Sequence, residues 1–348
     1  MKKNLIFKCR QNNISGYKQI IDKTYNILNR HYDLTCLTFY NQKHPEYKSA
    51  FDLNKEIFDS EEFIIVPLEL NEEMSWNSLL PNKKNLSVLT MWESTRVPKF
   101  CVNQLNNNFK NIFVPSLWNL QSFKNSDVKN VELLNLFVDE EKFFYRPKPN
   151  LNKFTFFAGA NLHNFSLSHV RKNLQTVIDC FVKVFKGISD VELVIKCTST
   201  GRNEIRYCLD ERIKIIKKFL SVDDFVNLYI NSDVFVSVSK SEGWGFFQIE
   251  SLAVGRPIIT VDYSGTKDFC NSENSFFVDY KESLASGYWA RENGLWAEFD
   301  INSLCEKMHW CYKNKDAIRD NWLKYSKSVL PKFSLENYET RLLNSLNF

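Results

Sequence analysis

No Cys-x-x-Cys pair occurs among the nine cysteines, which are scattered along the chain and odd in number. That excludes a disulfide scaffold, and with the His and Cys spacing it excludes a zinc knuckle. It suits free thiols in a reducing compartment. No Asp-x-Asp occurs anywhere, the pair that enzymes using a metal clamp on a nucleotide diphosphate usually carry. No apolar run approaches the roughly twenty residues a membrane-spanning helix needs. The opening MKKNLIFKCRQNN has a lysine pair but too short an apolar stretch for a signal peptide. Charge of neither sign dominates: 45 basic against 41 acidic residues leave a net charge of +4, mixed throughout. A nucleic-acid-binding stripe is therefore not expected. Internal repeats and low-complexity segments are absent too. These absences point to a cytoplasmic protein with no bound cofactor. Peripheral contact with the inner membrane face stays open, because Tyr17–Arg30 carries lysines, although its apolar face is needed for a core.

What is present is enough chain for about two domains, with a hydrophobic share of 44% that can build sizeable cores. The most informative stretch is Val234–Asp262, VFVSVSKSEGWGFFQIESLAVGRPIITVD. A β-rich run ends in a polar turn, Gly243 and Gly245 flank Trp244, and FFQIESLAV reads as a short helix stopped by Gly255 and Pro257. A second strand, PIITVD, follows. Amides at such a helix start are unpaired and carry partial positive charge, which suits a phosphate. Two carboxylates, Glu242 and Glu250, bracket the loop. Carboxylates repel phosphate but accept from paired sugar hydroxyls, so the arrangement describes a nucleotide-sugar site.

SEGWGFFQIESLAVGRP resembles the E-x7-E region of the retaining glycosyltransferase family 4, within its pattern S-E-G-x-G-x-x-x-x-E-A-x-A-x-G-x-P. The resemblance implies an α/β fold of the GT-B type: two Rossmann-like parallel-sheet domains facing across a cleft, with a C-terminal helix crossing back to the first. It implies an N-terminal acceptor domain over 1–148, a C-terminal donor domain over 149–328, and a returning helix over 329–348. It implies that Glu242 contacts hydroxyls of the transferred sugar and Glu250 those of the ribose, while amides around Trp244, Phe246 and Phe247 meet the diphosphate. A solvated helix face with a turn in front is the plain structural alternative.

In the first half, strand-like runs stand at Asn4–Cys9, Leu34–Tyr40, Glu62–Leu68, Leu86–Trp92, Asn111–Pro115 and Val131–Leu136, with helical periodicity through Ile20, Ile21, Tyr25 and Leu28. Strands alternating with helices mean βαβ units, whose ligands sit beyond the strands' carboxyl ends. Three such ends hold candidates. In QNNISGY, Ser15 can cap a helix and Gly16 can admit a ligand, which the resemblance places among the donor phosphates. In LSVLTMWESTRVP, Trp92, Glu93 and Arg96 follow a strand; relatives carry a histidine in this region, and here only Glu93 is available, so a salt-bridged turn is an equal reading. In IFVPSLWN, Ser116 reads as a helix cap. Tyr145–Leu151, rich in proline and charge, reads as a linker.

In the second half, FTFFAGA reads as a buried strand, followed by a polar loop and an amphipathic helix over Arg171–Lys186. Arg171 and Lys172 would then lie in a helix's first turn, opposing its dipole unless an anion is near. By resemblance Lys172 contacts the diphosphate. The arginine that the family carries after the strand's glycine is Ala160 here, so Arg171 or Lys196 would have to supply that charge. Lys196, breaking the apolar run VELVIKC, should point into a site or snorkel to solvent. SFFVDY reads as the last clear strand. From Trp296 onward the sequence reads as two helices, and FSLENYETRLLNSLNF as a third.

The chemistry expected is transfer of a sugar from a UDP- or GDP-sugar to a hydroxyl acceptor on a glycan or glycoconjugate. It would be metal-independent, with amides and cations stabilising the leaving diphosphate. The resemblance implies retention of configuration; inversion would need a general base, for which Glu93 is the candidate. A nucleotide-sugar epimerase, a phosphorylase, or a catalytically silent relative that binds a sugar or a partner are the alternatives.

Overall fold

The structure is a computed structural model that describes residues 4–9, 16–38, 48–49, 62–68, 70, 86–150, 152–161, 168–198 and 210–346. Ser15, the Phe39–Tyr40 end of the second expected strand, Leu151 and the loop 162–167 lie outside them. The chain divides into two compact units, Met1–Leu136 with Glu336–Phe348, and Phe137–Leu335.

Among the described residues the first unit is built on seven parallel strands: β1 (Asn4–Cys9), β2 (Asp33–Thr38), β3 (Lys48–Ser49), β4 (Glu62–Leu68), β5 (Leu86–Thr90), β6 (Asn111–Val114) and β7 (Val131–Leu133). Their order is β3-β2-β1-β4-β5-β6-β7. β5 is buried at every position, as a strand covered on both faces must be. The helix Gly16–His31 buries Ile20, Ile21, Thr24, Ile27 and Leu28, one helical stripe. Ser116 caps the helix Leu117–Lys124, its hydroxyl accepting from the Asn119 amide at 3.2 Å. The C-terminal helix Leu335–Ser345 joins this unit through Tyr338, whose buried hydroxyl lies 2.8 Å from Thr24 Oγ1, and through Glu339, which pairs with Arg30 and His31.

Among the described residues the second unit carries six parallel strands, β8 (Phe154–Asn161), β9 (Val191–Thr198), β10 (Ile213–Ile216), β11 (Val234–Ser237), β12 (Ile258–Val261) and β13 (Ser275–Val278), in the order β10-β9-β8-β11-β12-β13. The chain runs outward from β8 to β10 and then returns to start β11 on the other side of β8. Strand order reverses at that point, and the crevice beyond the carboxyl ends of β8 and β11 is where open α/β sheets bind ligands. Phenylalanines fill the interior; Phe157, for example, packs edge-on to Tyr229 and Phe235 at 5.0 and 5.3 Å. Of the expected linker, the described residues 145–150 lie within this unit and are fastened to it. Lys148, buried, reaches Asp233 at 2.5 Å and Thr155 Oγ1 at 3.1 Å, and Arg319 closes on the other oxygen of Asp233 at 2.8 Å.

Three expectations are corrected. The helix expected over Arg171–Lys186 is two, Ser168–Lys172 and Leu174–Val184, because Asn173 sits in the left-handed region at φ 54°. Arg171 and Lys172 therefore end a helical turn rather than open one, and the dipole argument for an anion beside them falls. SFFVDY is not the last strand: an antiparallel hairpin, β14 (Tyr280–Leu284) and β15 (Leu295–Phe299), follows. Residues 296–299 are strand, not helix, because Asp300 caps the helix Ile301–Lys313 by accepting from Asn302 and Ser303 amides.

Candidate functional site

The carboxyl ends of β8 and β11 bring together residues far apart in sequence. Arg171 Nη1 lies 3.2 Å from one carboxylate oxygen of Glu242, and Lys172 Nζ bonds the other. Arg171 also donates to the Ser241 carbonyl, and its guanidinium stands 5.5 Å from the ring centre of Trp289. Burial alone would push the Glu242 carboxyl up, but Lys172 and Arg171 outweigh it and hold the group down at about 2. Glu242 is therefore an anion at neutral pH.

The loop carrying Glu242 is fixed by backbone. Ser264 Oγ accepts from the Glu242 amide, and the Gly265 amide donates to the Glu242 carbonyl, each at 2.9 Å. Gly245 opens the helix Phe246–Val254 at φ 108°, a conformation that favours glycine. No side chain caps that helix, and its first amides, like those of any helix, have no intrahelical acceptor. Phe246 and Phe247 are half-buried, and a Cβ placed on Gly159, near the end of β8, would fall 2.3 Å from the Phe247 ring. Glu250, one turn further along, is buried and accepts from the Tyr229 hydroxyl at 2.7 Å.

Lys196 pairs in register with Gly159 across β8 and β9. Only 7% exposed, it donates to the Cys197 carbonyl at 3.2 Å, and burial pulls its ammonium pKa down. Among the described residues no carboxylate stands within ion-pair distance of it. Ala160, in the next register pair with Cys197, is buried and supplies no charge.

Of the expected site residues, Arg171, Lys172, Lys196, Glu242, Gly243, Gly245, Phe246, Phe247 and Glu250 gather at this edge of the second unit. Trp244 stands in the same loop, but its ring packs inward, edge-on to Phe269 and Phe333 at 5.2 and 5.4 Å. Gly16, Trp92, Glu93 and Arg96 belong to the first unit. Gly16 begins its helix. Trp92 is buried with its indole N–H donated to Ser94 Oγ at 2.8 Å, Glu93 is half-buried, and Arg96 is exposed and bonds the Asn125 carbonyl. Among the described residues no group of three or more His, Cys, Asp or Glu is placed to hold a metal, and no helix is long and apolar enough to cross a membrane.

Residues 162–289 match the family model of the glycosyl transferases, group 1. The chain is similar in structure to a glycosyltransferase from Rickettsia africae ESF-5, at TM-score 0.70 and 15% identity over 99% of this chain and 98% of that one. Sucrose-phosphate synthase from Thermosynechococcus elongatus follows at 0.68 and 12%, covering 99% and 98%. HepE of Anabaena in complex with UDP-glucose gives 0.66 and 12%, covering 99% of both chains. No curated protein sequence matches the chain. At these identities the likeness carries the fold, and the fold is GT-B.

Two contributors escaped the sequence reading. Trp289, in a 3-10 segment between β14 and β15, faces Arg171 although 118 positions separate them. The hairpin is stitched to the site by the Ala297 amide donating to the Lys240 carbonyl, and Lys240 in turn donates its amide to the Arg171 carbonyl, both at 2.9 Å. Tyr229 on Glu250 is the other. No local pattern signals either. Trp289→Leu stays apolar but removes the ring face from Arg171 and part of the buried volume against Trp296; the expected cost is about 1–3 kcal/mol in a urea melt. An unchanged midpoint would show that Arg171 does not depend on the ring.

Proposed function

We propose that the chain is a glycosyltransferase that binds a UDP- or GDP-sugar in its second unit and transfers the sugar to a hydroxyl of a glycan or glycoconjugate acceptor. One observation carries this reading: Arg171, Lys172 and Glu242 converge beyond β8 and β11, at the strand-order reversal and in the unit that also carries the uncapped helix Phe246–Val254. Cations and helix amides there suit a diphosphate, and carboxylates suit sugar hydroxyls. The family match over 162–289 and the fold support it. HepE, similar in fold, has been seen with UDP-glucose.

On this reading Lys172 and Lys196 neutralise the diphosphate together with the amides of Phe246 and Phe247. Lys196 takes the place of the strand-end cation that Ala160 does not provide. Glu242 orients the transferred sugar and Glu250 binds the ribose. The first unit receives the acceptor, with Glu93 and Arg96 as its polar candidates. Retention of configuration and metal independence belong to the same proposal. The departing diphosphate would be stabilised by fixed amides and cations, which cost no reorganisation during reaction.

The test is a melting-shift series against UDP, GDP, ADP and their sugars, each with and without EDTA, followed by product analysis for anomeric configuration. A ligand that binds the native state raises its midpoint by mass action. The expected result is a rise with UDP or GDP that survives EDTA. No shift with any nucleotide would overturn the donor-site reading. Ala160 favours a second reading, a GT-B protein that binds a sugar without turning it over; nucleotide binding without product from any acceptor would select it.

A further inference from the structure

We propose that Tyr229 positions Glu250 for the donor ribose and thereby sets a preference for ribonucleotides over 2′-deoxyribonucleotides; this rests on the donor-site reading above. Tyr229 belongs to the helix Val222–Ile230 and is fully buried. Its ring is enclosed by Phe143, Phe157, Phe225 and Phe235, with centres 5.7, 5.0, 5.4 and 6.0 Å away and the first three edge-on. A ring held on so many sides has little freedom, so its hydroxyl is a fixed point. That hydroxyl meets Glu250 Oε2 at 2.7 Å.

The direction of the bond is settled by the surroundings. Burial, and then the neighbouring carboxylate, push the phenol pKa well above its ordinary value, so the proton stays on tyrosine and Glu250 accepts. Glu250 sits in the middle of the helix Phe246–Val254 and is 2% exposed. It shares a helix face with Phe246 and Phe247, four and three residues earlier, the half-buried pair at the helix start. A buried carboxylate costs free energy unless donors meet it, and the Tyr229 hydroxyl is one such donor. An immobile phenol on one oxygen orients the carboxylate plane, so that a vicinal diol approaching from the helix start meets a preset acceptor. Preorganisation of this kind converts a hydrogen bond into discrimination, since a deoxy ligand leaves the acceptor unmatched.

Calorimetric binding of UDP, 2′-deoxy-UDP, GDP and 2′-deoxy-GDP to the full chain tests this. The wild type is expected to favour the ribo form by about tenfold or more, and Tyr229→Phe, which keeps the ring and loses only the hydroxyl, to reduce that ratio to near one while the deoxy ligand binds as before. Glu250→Gln should abolish the ratio too, and the double variant should lose no more than either alone. A ratio unchanged in Tyr229→Phe would make Tyr229 a packing residue and overturn the proposal, as would a wild type that binds nucleotides without preferring ribose. A wild type that binds none of the four would instead sink the donor-site reading. Should Tyr229→Phe fail to fold, 3,5-difluorotyrosine at 229 keeps the shape and alters the hydroxyl as a donor; a ratio that does not move would then count against the proposal.

Discussion

Glu242→Gln is expected to lower turnover by about 10²–10³-fold while tightening the binding of the free nucleotide diphosphate by about tenfold. The opposite signs follow from one geometry. Lys172 and Arg171 both reach the Glu242 carboxylate, so in the unliganded protein that carboxylate serves as their counter-ion. On the proposed reading an incoming diphosphate would compete with it for these cations, and glutamine, which has the same shape without the charge, would not. On the proposed donor-site reading the sugar hydroxyls would lose their ionised acceptor in the same substitution, and with it the orientation that transfer needs. Calorimetry with UDP and GDP reads the first effect, and turnover of the matching sugar nucleotide reads the second. Weaker nucleotide binding in the variant would show that Glu242 is not the counter-ion, and retained turnover would remove it from the chemistry.

The same charge cluster leaves a mark on stability against pH. The folded-state pKa of Glu242, about 2, lies below its ordinary 4.5. A carboxyl depressed on folding contributes stability that is fully present above 4.5 and is lost as pH falls toward 2. The acid limb of Glu242→Gln should therefore be flatter than that of the wild type across this window.

Much of the scaffold is readable from the chain because it is local. β1 and β4 stand where short apolar runs predict them, and the Gly-Trp-Gly loop, its helix and the Gly255 stop follow from residues a few positions apart. The readings that fail share a cause. Asn173 is an unremarkable polar residue whose left-handed φ depends on its surroundings, its side chain donating to the Arg171 and Val238 carbonyls. β14 is polar and largely exposed, so no hydrophobic alternation announces it, and its partner β15 runs directly into the helical periodicity beyond it. The site is legible in its residue types and not in its pairings. That Lys172 would meet Glu242 rather than stand alone, and that Tyr229 would meet Glu250, are facts of tertiary structure with no sequence period behind them.

Gly265→Ala is expected to cost about 3 kcal/mol and to reduce turnover by about 10²-fold even where the variant stays folded. A Cβ at this position would lie 2.2 Å from the Gly243 carbonyl oxygen, 2.6 Å from its carbon and 2.8 Å from the Glu242 carbonyl oxygen. All three are backbone atoms, and the loop that holds them is already tied by the Gly265 amide and by Ser264. No side-chain rotation can relieve the contact, so the Glu242 loop itself must move. Gly187 is the natural control, because it has a left-handed φ of 79° and nothing within 4 Å of an added Cβ. Alanine there should cost about 1 kcal/mol, through backbone conformation alone, and leave turnover intact. Urea melts and turnover of both variants separate a steric effect on the site from a general one on the fold. If the two variants behave alike, the close packing of the 264–265 turn on the Glu242 loop is not what positions that carboxylate.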